Sequence, residues 1–321
     1  GGAGLIGSSR VWALNRRGCE NIVVCDILGT NEKWRNLTPL RFADYVEAAD
    51  LLPRLQSDAL GKFDLVLHMG ACSATTEKDA TYLIKNNYEF TKDLAHWSLA
   101  NKARFVYASS AATYGDGSAG MMDDESKLDT LRPLNMYGYS KHLFDLHAKR
   151  AGFLNKICGL KFFNVFGPNE DHKGDMRSLV HKSFAQVQSK GVIQLFKSYR
   201  KEYKHGEQKR DFLYIKDCAA MTLHLAATPK ANGLFNIGSG QARTWVDLSN
   251  AVFTALKKKP VIKFIEMPEV IRDKYQYFTQ ANLLRLRGAG YTAPVTSLEN
   301  AVHDYVRRYL VLDKRLDSSV E

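Results

Sequence analysis

The sequence has 321 residues, 45% of them hydrophobic and 25% charged, which is enough to bury a large core in one α/β unit or in two lobes. It has no apolar run near the roughly 20 residues that span a bilayer and no signal segment at its start, so we expect a cytoplasmic protein rather than a membrane protein. The formal net charge of +11 favours an anionic partner. Because the basic residues are spread out, we expect phosphorylated small molecules rather than nucleic acid.

The cysteines give no sign of a metal site or of a disulfide framework. There are five of them, and no two form a C-x-x-C pair or a Cys/His cluster. Cys25, Cys158 and Cys218 lie within or beside apolar segments, where a free thiol behaves as a small hydrophobe. We therefore expect free thiols in a reducing compartment and no bound metal.

A glycine-rich segment, Gly-Gly-Ala-Gly-Leu-Ile-Gly, opens the sequence. It precedes a predicted helix over residues 8–17 and a predicted strand over residues 21–26. Such glycines let the main chain approach a pyrophosphate, and the helix N-terminus supplies NH groups to it. Asp26 follows at the distance at which a carboxylate binds a ribose hydroxyl. The spacing predicts a dinucleotide site whose contacts here are Gly1, Gly4, Leu5, Ile6, Gly7, Asp26 and Ile27.

The strand that normally precedes such a glycine loop is central to a doubly wound sheet. The sequence begins at the loop itself. We therefore expect that the first strand of this fold is missing from the sequence.

The next segments predict the rest of a cofactor site. A predicted loop over residues 31–40 carries Lys33 and Arg35, which favour a 2′-phosphate and thus NADP, whereas Asp26 favours NAD, and electrostatics leaves both open. A buried strand over residues 63–68 runs into a turn of small residues, and a helix over residues 81–101 follows. The contacts expected from these segments are Met69, Gly70, Ala71, Cys72, Ser73 and Asn86.

The predicted catalytic residues lie at one strand end and on one helix. A strand over residues 104–108 ends at Ser110, and ligands of open α/β sheets bind beyond the carboxyl ends of strands. A helix over residues 133–149 carries Tyr137 and Lys141 on one face. An isolated tyrosine has a pKa of about 10, and a neighbouring ammonium favours its phenolate. We predict Tyr137 as the base, Lys141 as its support and Ser110 as the group that holds the reacting oxygen.

The character of the sequence changes after Pro168, where segments become shorter and more charged. We expect a dinucleotide-binding domain over residues 1–168 and a mainly substrate-binding lobe over residues 169–321, with the stretch around 215–255 returning to the first domain. The tail from residue 313 is expected to fray.

These motifs together resemble the extended short-chain dehydrogenase/reductase superfamily, which contains the nucleotide-sugar epimerases and dehydratases, over nearly the whole chain. The resemblance implies a Rossmann-type doubly wound parallel sheet with a smaller α/β substrate lobe. More specific segments resemble the branch that inverts C6 of an ADP-linked heptose, and they are residues 70–77, 107–115, 137–141, 163–168, 172–174, 209–212 and 275–280.

The resemblance implies transient oxidation at C6 by tightly bound NADP, with NAD as the alternative, and return of the hydride to the other face. It implies that Lys173 is a second acid or base. It also implies a homo-oligomer, a pentamer by resemblance, and no membrane or nucleic-acid partner. Val165 and Lys141 are implied cofactor contacts. The implied substrate contacts are Asn164, Asp175, Lys182, Phe196, Arg210 and Tyr275.

Some residues depart from that branch, and other functions remain as alternatives. Asp175 replaces a common serine, and residues 196–208 differ in sequence and length, which affects substrate contacts more than chemistry. A dehydratase would carry an Asp-Glu pair where this chain has Ala111 and Ala112. A UDP-sugar 4-epimerase is the enzyme alternative, and a cofactor-binding regulatory protein of the same fold is the non-enzyme alternative.

Overall fold

A computed structural model describes residues 1–272 and 275–319 of the chain. Within those ranges no helix combines the length and the apolar character that crossing a membrane requires. The strands are β1 (Val23–Asp26), β2 (Asp44–Glu47), β3 (Leu65–His68), β4 (Arg104–Ser110), β5 (Cys158–Phe162), β6 (Asn164–Phe166), β7 (Ile193–Phe196), β8 (Lys209–Tyr214), β9 (Gly233–Ile237), β10 (Ala242–Thr244) and β11 (Ile262–Ile265).

One helix precedes the first strand, and the others lie between the strands and after the last of them. They are α1 (Leu5–Asn15), α2 (Ala48–Gln56), α3 (Ala80–Leu83), α4 (Phe90–Ala100), α5 (Met136–Arg150), α6 (Leu179–Lys190), α7 (Ile215–Ala226), α8 (Trp245–Ala255), α9 (Glu269–Arg272), α10 (Leu284–Gly288) and α11 (Leu298–Asp304). A π-helical segment (Ile84–Glu89) joins α3 to α4, and another (Tyr305–Leu310) continues α11.

The central sheet is parallel, with strand order β3-β4-β5-β9. Alternate residues of β4 enter cores on opposite faces. Phe105 and Tyr107 pack with side chains of α4 and α5, while Val106 and Ala108 pack with side chains of α1 and α7. Helices thus cover both faces, as in a doubly wound α/β sheet. The predicted fold class is confirmed.

The glycine loop lies between the ends of two strands. β1 and β2 form a separate parallel pair, and the NH of Gly2 donates to the carbonyl oxygen of Cys25 at the end of β1 (2.9 Å). A Cβ on Gly1 would lie 2.3 Å from the main chain of Gly70, just beyond β3. The loop therefore sits at the carboxyl edge of the parallel strands, where ligands of such sheets bind.

Residues after Pro168 build two smaller sheets and also return to the central one. β8 pairs with β6 in parallel and with β10 antiparallel, and β7 pairs with β11 in parallel. β9 adds to the edge of the central sheet beside β5, and α7 packs on α1. α8 packs against α6 and α11.

The structure differs from the predicted elements in several places. β5 and β6 are separated by one residue, Phe163, yet they belong to different sheets, which the sequence pattern does not indicate. β2 and α2 were not predicted, and α2 contains a proline. The predicted frayed tail is wrong for Leu316, which is fully buried, while residues 320 and 321 lie outside the described ranges.

A buried ion pair joins β4, β5 and α5. The ammonium of Lys161 on β5 lies 2.8 Å from the Asp145 carboxylate on α5, and both side chains are almost completely excluded from solvent. Two hydroxyls of β4, those of Tyr107 and Ser109, donate to the same carboxylate (2.7 and 2.8 Å). The ammonium also donates to Thr113 just after β4 (2.7 Å). These bonds set where α5 lies against the end of β4.

We expect Lys161→Met to destabilise the protein by about 3–5 kcal/mol, because it leaves the Asp145 carboxylate buried without its counter-charge. Urea unfolding measures this change. Lys149→Met is the matched control, since that ammonium pairs with the exposed Asp129 and its loss should shift the midpoint little. Equal midpoints for the two variants would contradict this account of the ion pair.

Candidate active site

Ser110 and Tyr137 come together where β4 ends and α5 begins. Ser110 is the last residue of β4, and Tyr137 is in the first turn of α5. The Ser110 side chain lies close enough to the Tyr137 phenol to lower its pKa. Lys141 follows one turn later on α5 and is buried. The structure therefore brings the three side chains predicted to be catalytic to one end of the parallel sheet.

The start of α5 is held closely against the end of β4. The Asn135 side chain caps the helix by accepting a hydrogen bond from the NH of Gly138 (2.8 Å). A Cβ on Gly138 would lie only 2.8 Å from the carbonyl oxygen of Ala112. Glycine at this position therefore lets the helix approach the strand end closely enough for Tyr137 to meet Ser110.

The protein by itself disfavours the phenolate of Tyr137. Burial raises the pKa of this phenol, the hydrogen bond with Ser110 lowers it in part, and the Cys72 thiol raises it further. The predicted lowering of this pKa by Lys141 is wrong for the protein groups alone, because desolvation of the phenolate outweighs the other effects. A phenolate here needs a further positive charge, which an oxidised nicotinamide ring carries.

Lys141 presents a buried amine that makes no hydrogen bond within residues 1–272 and 275–319. Burial lowers the pKa of Lys141 to about 8, and the Asp145 carboxylate one turn along the helix acts in the opposite direction. An unsatisfied buried donor is costly unless a ligand completes it. The hydroxyls of a nicotinamide ribose are acceptors of the required kind, so this amine fits a bound dinucleotide.

Asn87 fixes the turn of small residues against α5. Its side chain accepts from the NH of Cys72 and donates to the carbonyl oxygen of Cys72, both at 2.9 Å, and it also donates to Ser140 on α5 (3.0 Å). Asn86, the predicted cofactor contact, is half-buried and donates to Asn87 (2.9 Å). The sequence missed the role of Asn87, although the Asn-Asn pair marked this turn of the helix.

Asp26 organises the adenosine side of the predicted cofactor site. Its carboxylate is 7% exposed and accepts hydrogen bonds from the NH groups of Ala3 (2.8 Å) and Ile27 (2.7 Å). Lys33, on a 3-10 helix (Glu32–Asn36), pairs with the same carboxylate at 2.8 Å. Asp26, which favoured NAD in the sequence analysis, and Lys33, which favoured NADP, therefore form an ion pair with each other.

The glycine loop and the turn over residues 69–73 are in contact. A Cβ on Gly7 would lie 1.9 Å from the carbonyl oxygen of Gly1, so the first turn of α1 folds onto the loop only with glycine there. A Cβ on Gly70 would lie 3.1 Å from the nitrogen of Gly1. The side chain of Ile27 is half exposed beside Asp26. These segments leave a main-chain-lined surface suited to a dinucleotide.

Lys173 lies on a different loop, a 3-10 segment (Asp171–Met176) that is broken at Gly174, where φ is 52°. Burial lowers the pKa of Lys173, while the nearby Glu170 raises it and Lys182 lowers it. A lysine that acts as an acid or base near neutral pH needs a change in this direction. The structure thus gives Lys173 the electrostatic setting that the sequence required of it.

Arg210 is held between two aromatic rings. Its guanidinium lies 5.7 Å from the ring centre of Trp245 and 5.0 Å from that of Tyr275. Burial lowers its pKa, and among the described residues it has no carboxylate partner. Asp211 instead accepts from main-chain NH groups, such as that of Ala281 (2.9 Å). The guanidinium is therefore available to an anion from outside the chain.

The other predicted substrate contacts lie on four elements, which are β6, β7, α6 and the 3-10 segment Asp171–Met176. Asn164 is exposed at the start of β6, and Phe196 is half-buried at the end of β7. The ammonium of Lys182 on α6 donates to the main-chain oxygen of Asp175 (2.6 Å). Asp175 itself is exposed. Val165, a predicted cofactor contact, is half-buried in β6.

A cleft of about 710 Å³ lies near the aromatic residue Tyr277. Arg200 and Tyr203, from the segment whose sequence departs from the expected pattern, line it together with Tyr277. The Arg200 guanidinium lies 4.6 Å from the ring centre of Tyr277, which is 5.4 Å from that of Tyr275. The sequence marked this segment only as extended, so these contacts were missed.

Comparison with known proteins gives a consistent family. The model of the NAD dependent epimerase/dehydratase family matches residues 1–238. A protein from Nitratidesulfovibrio vulgaris named ADP-L-glycero-D-manno-heptose-6-epimerase is 53% identical over 97% of this chain and 96% of its own length. A protein of the same name from Fusobacterium nucleatum is 44% identical over 97% of this chain and 96% of its own length.

Among solved structures, the ADP-L-glycero-D-manno-heptose-6-epimerase of Helicobacter pylori is similar to this chain with a TM-score of 0.81 and 27% identity. The match covers 96% of this chain and 93% of that one. The likeness therefore extends over both the parallel sheet and the smaller sheets.

We expect the Lys141 amine to titrate near pH 8, as followed by heteronuclear NMR of labelled lysine with Lys141→Met for assignment. The folded state releases this proton near 8 and the unfolded state near the ordinary 10.5. The unfolded state therefore binds more protons between these values, and the stability of the wild type relative to Lys141→Met should rise with pH across that window. A titration at 10.5 would contradict the burial argument.

Proposed function

The chain belongs to the NAD dependent epimerase/dehydratase family, and on that premise we propose that it converts ADP-D-glycero-β-D-manno-heptose to its L-glycero epimer at C6. The product is a precursor of the lipopolysaccharide core. Relatives at 44–53% identity that carry this activity in their names support the substrate. The observation that carries the chemistry is the buried amine of Lys141, which has no hydrogen-bond partner among the described residues, one turn after the Tyr137 phenol, whose pKa the Ser110 side chain lowers.

Epimerisation at C6 of the heptose requires a temporary oxidation. No carbonyl group neighbours C6, so its C–H bond is not acidic enough for direct deprotonation. A bound nicotinamide dinucleotide supplies a reversible acceptor for the hydrogen and two electrons that leave C6. Oxidation yields a C6 ketone, and return of the same hydrogen to the opposite face yields the epimer, so no net redox change results.

The chain's own residues move the proton. Ser110 holds the C6 oxygen by a hydrogen bond, and Tyr137 accepts the proton of that hydroxyl as the ketone forms. After the sugar has presented its other face, Lys173 donates a proton to the oxygen. In the reverse reaction Lys173 accepts the proton and Tyr137 donates it. A positioned acid or base contributes about 10²–10⁴ in rate. The lowered pKa of Lys173 supports this second role.

The cofactor we propose is NADP. The glycine loop and the NH groups at the start of α1 would hold its pyrophosphate, and Lys141 would bind the nicotinamide ribose. Lys33 supports NADP because its ammonium stands beside Asp26 and offsets the repulsion between that carboxylate and a 2′-phosphate. The ammonium keeps further donors for the phosphate.

Arg210 is the residue we propose for the substrate diphosphate. Its planar guanidinium offers parallel donors to phosphate oxygens, and the rings of Trp245 and Tyr275 hold that plane in place. Asn164, Phe196, Lys182 and Asp175 are carried over from the resemblance as further contacts with the nucleotide sugar.

The proposed function divides the chain into a cofactor-binding part and a substrate-binding part. Residues 1–168 form the dinucleotide-binding domain and residues 169–321 supply the substrate lobe, with α7 and β9 packed on the first domain. We propose a cytoplasmic enzyme that assembles as a homo-oligomer, a pentamer by resemblance.

The first test incubates the purified protein, without added cofactor, with ADP-D-glycero-β-D-manno-heptose and follows the C6 epimer ratio by NMR. We expect conversion by the wild type and a loss of about 10²–10⁴ in rate in Tyr137→Phe, because the proton acceptor is removed. Tyr139→Phe is the matched control, since Tyr139 lies on the exposed face of the same helix. Conversion of a UDP-hexose instead of the heptose would favour a UDP-sugar 4-epimerase.

The second test concerns the choice of cofactor. We expect Lys33→Gln to weaken NADP binding by about 1.5–3 kcal/mol, the contribution of a hydrogen bond to a charged group, and to leave NAD binding nearly unchanged. Titration calorimetry of the cofactor-free protein with each dinucleotide measures both affinities. Arg35→Gln is the comparison, because Arg35, the other cation of this segment, is exposed and already pairs with Glu32, so its loss should weaken NADP binding less than that of Lys33. Equal weakening for both dinucleotides would overturn the NADP assignment.

A further inference from the structure

Asn169 is a fully buried residue four positions before Lys173, and it has the left-handed main-chain conformation with φ of 79°. Its side-chain amide donates to the hydroxyl of Ser8 on α1 (2.9 Å). The amide oxygen accepts from the NH of Leu316 near the end of the chain (3.0 Å). Both ends of this one side chain are therefore bonded to elements far away in the sequence.

The choice of asparagine at this position is informative. Glycine adopts a positive φ without strain, whereas asparagine does so at some cost. Glycine would lose both side-chain hydrogen bonds. The left-handed conformation alone therefore does not account for this residue, and the two bonds of its amide do.

A second buried amide, that of Asn36, ties the same position to the glycine loop. Its nitrogen donates to the carbonyl oxygen of Ala3 (2.9 Å) and to that of Asn169 (3.1 Å), and it lies 3.4 Å from Nδ1 of His172. The loop that carries Lys173 is thus joined, through Asn36, to the main chain predicted to hold the cofactor pyrophosphate.

Residues 315–318, which we call the C-terminal strap, complete this arrangement. Arg315 lies 3.4 Å from the carboxylate of Asp171, and the carbonyl oxygen of Asp317 accepts from the indole NH of Trp12 on α1 (3.1 Å). Leu316, between them, is fully buried. The strap therefore runs from the Lys173 loop to the helix behind the glycine loop.

The other end of the loop is also fixed. The buried carboxylate of Glu170 accepts from the NH (2.7 Å) and the hydroxyl (2.6 Å) of Ser178 at the start of α6. The NH of Lys173 donates to the carbonyl oxygen of Glu170 (3.0 Å). Between these anchors only Gly174 has a positive φ among residues 170–177. The position of Lys173 consequently depends on where Asn169 is held.

We propose that Asn169 is a positioning residue, which sets the Lys173 loop through Ser8 of α1 and through the C-terminal strap and so places the second acid or base at the substrate. This inference rests on the proposed role of Lys173. It predicts that disturbing Asn169 impairs the step that Lys173 serves and spares the step that Tyr137 serves, because the side-chain hydrogen bonds of Asn169 go to Ser8 and Leu316 rather than to Tyr137 or Ser110.

The experiment first assigns the two steps. Each epimer is mixed with the protein in its cofactor-bound form, and the rate of appearance of the reduced nicotinamide chromophore is recorded. Lys173→Met identifies the epimer whose oxidation depends on Lys173, and Tyr137→Phe identifies the other. We expect Ser8→Ala to slow the oxidation of the Lys173-dependent epimer by about tenfold or more, which is part of the rate gain of about 10²–10⁴ that a positioned base contributes. The oxidation rate of the other epimer should stay within about twofold of the wild type. Asn169→Gly should slow the Lys173-dependent epimer more strongly than Ser8→Ala does.

Ser9→Ala is the matched control. Ser9 is the adjacent buried serine of α1, and its hydroxyl donates to Ile6 rather than serving Asn169. We expect this variant to oxidise both epimers like the wild type. Equal slowing of both epimers in Ser8→Ala, or no slowing in either, would overturn the inference.

A second readout needs neither cofactor nor substrate. Trypsin cleaves after Lys173 and Arg177 only when the loop leaves its anchors, so we expect faster cleavage there in Ser8→Ala and Asn169→Gly than in Ser9→Ala. Unchanged cleavage would overturn the inference even if Ser8→Ala slows the oxidation of the Lys173-dependent epimer. If Lys173→Met affects both epimers alike, the proposed role of Lys173 fails, and cleavage alone decides whether Asn169 holds the loop.

Discussion

The candidate active site depends on one buried charge, the carboxylate of Asp145, and on the groups that satisfy it. Lys161 supplies the counter-charge from β5, and Tyr107 and Ser109 supply hydroxyls from β4. Replacing such an ion pair with apolar residues of equal volume often costs no stability, so its value here is geometric. Hydrogen bonds have direction, and these allow one placement of α5 against the end of β4. That placement brings the Tyr137 phenol to Ser110.

The same carboxylate influences the chemistry of the site. Burial lowers the pKa of Lys141 and Asp145 raises it, so that the amine titrates at about 8 and remains largely charged at neutral pH. Burial meanwhile raises the pKa of Tyr137. The chain thus keeps a charged lysine and a neutral tyrosine side by side. The positive charge of an oxidised nicotinamide would favour the phenolate, so the proposed role of Tyr137 as the base depends on a bound cofactor.

Much of this was predictable from local patterns. Buried parallel strands appear as short apolar runs, so β3 and β4 were found with small errors at their ends. β2 was missed because its residues, Asp44–Glu47, are mostly polar, and α2 was missed because it contains Pro53. The predicted frayed tail was wrong because the burial of Leu316 comes from contacts with segments far away in the sequence. Asn86 was preferred to Asn87 because two adjacent amides look alike in a sequence, although they point about 100° apart around a helix.

The sequence by itself determined the chemistry, because a phenol and an amine four residues apart share a helix face and a glycine loop precedes a helix, whatever the rest of the chain does. It also determined the fold class. Only the tertiary structure decided which polar groups share a dry volume: Asp145 with Lys161, Asp26 with Lys33, and Asn169 with Ser8 and Leu316. The physical reason is that desolvation and hydrogen bonding depend on distances in space, and these partners are set by the packing of helices on sheets rather than by their spacing along the chain.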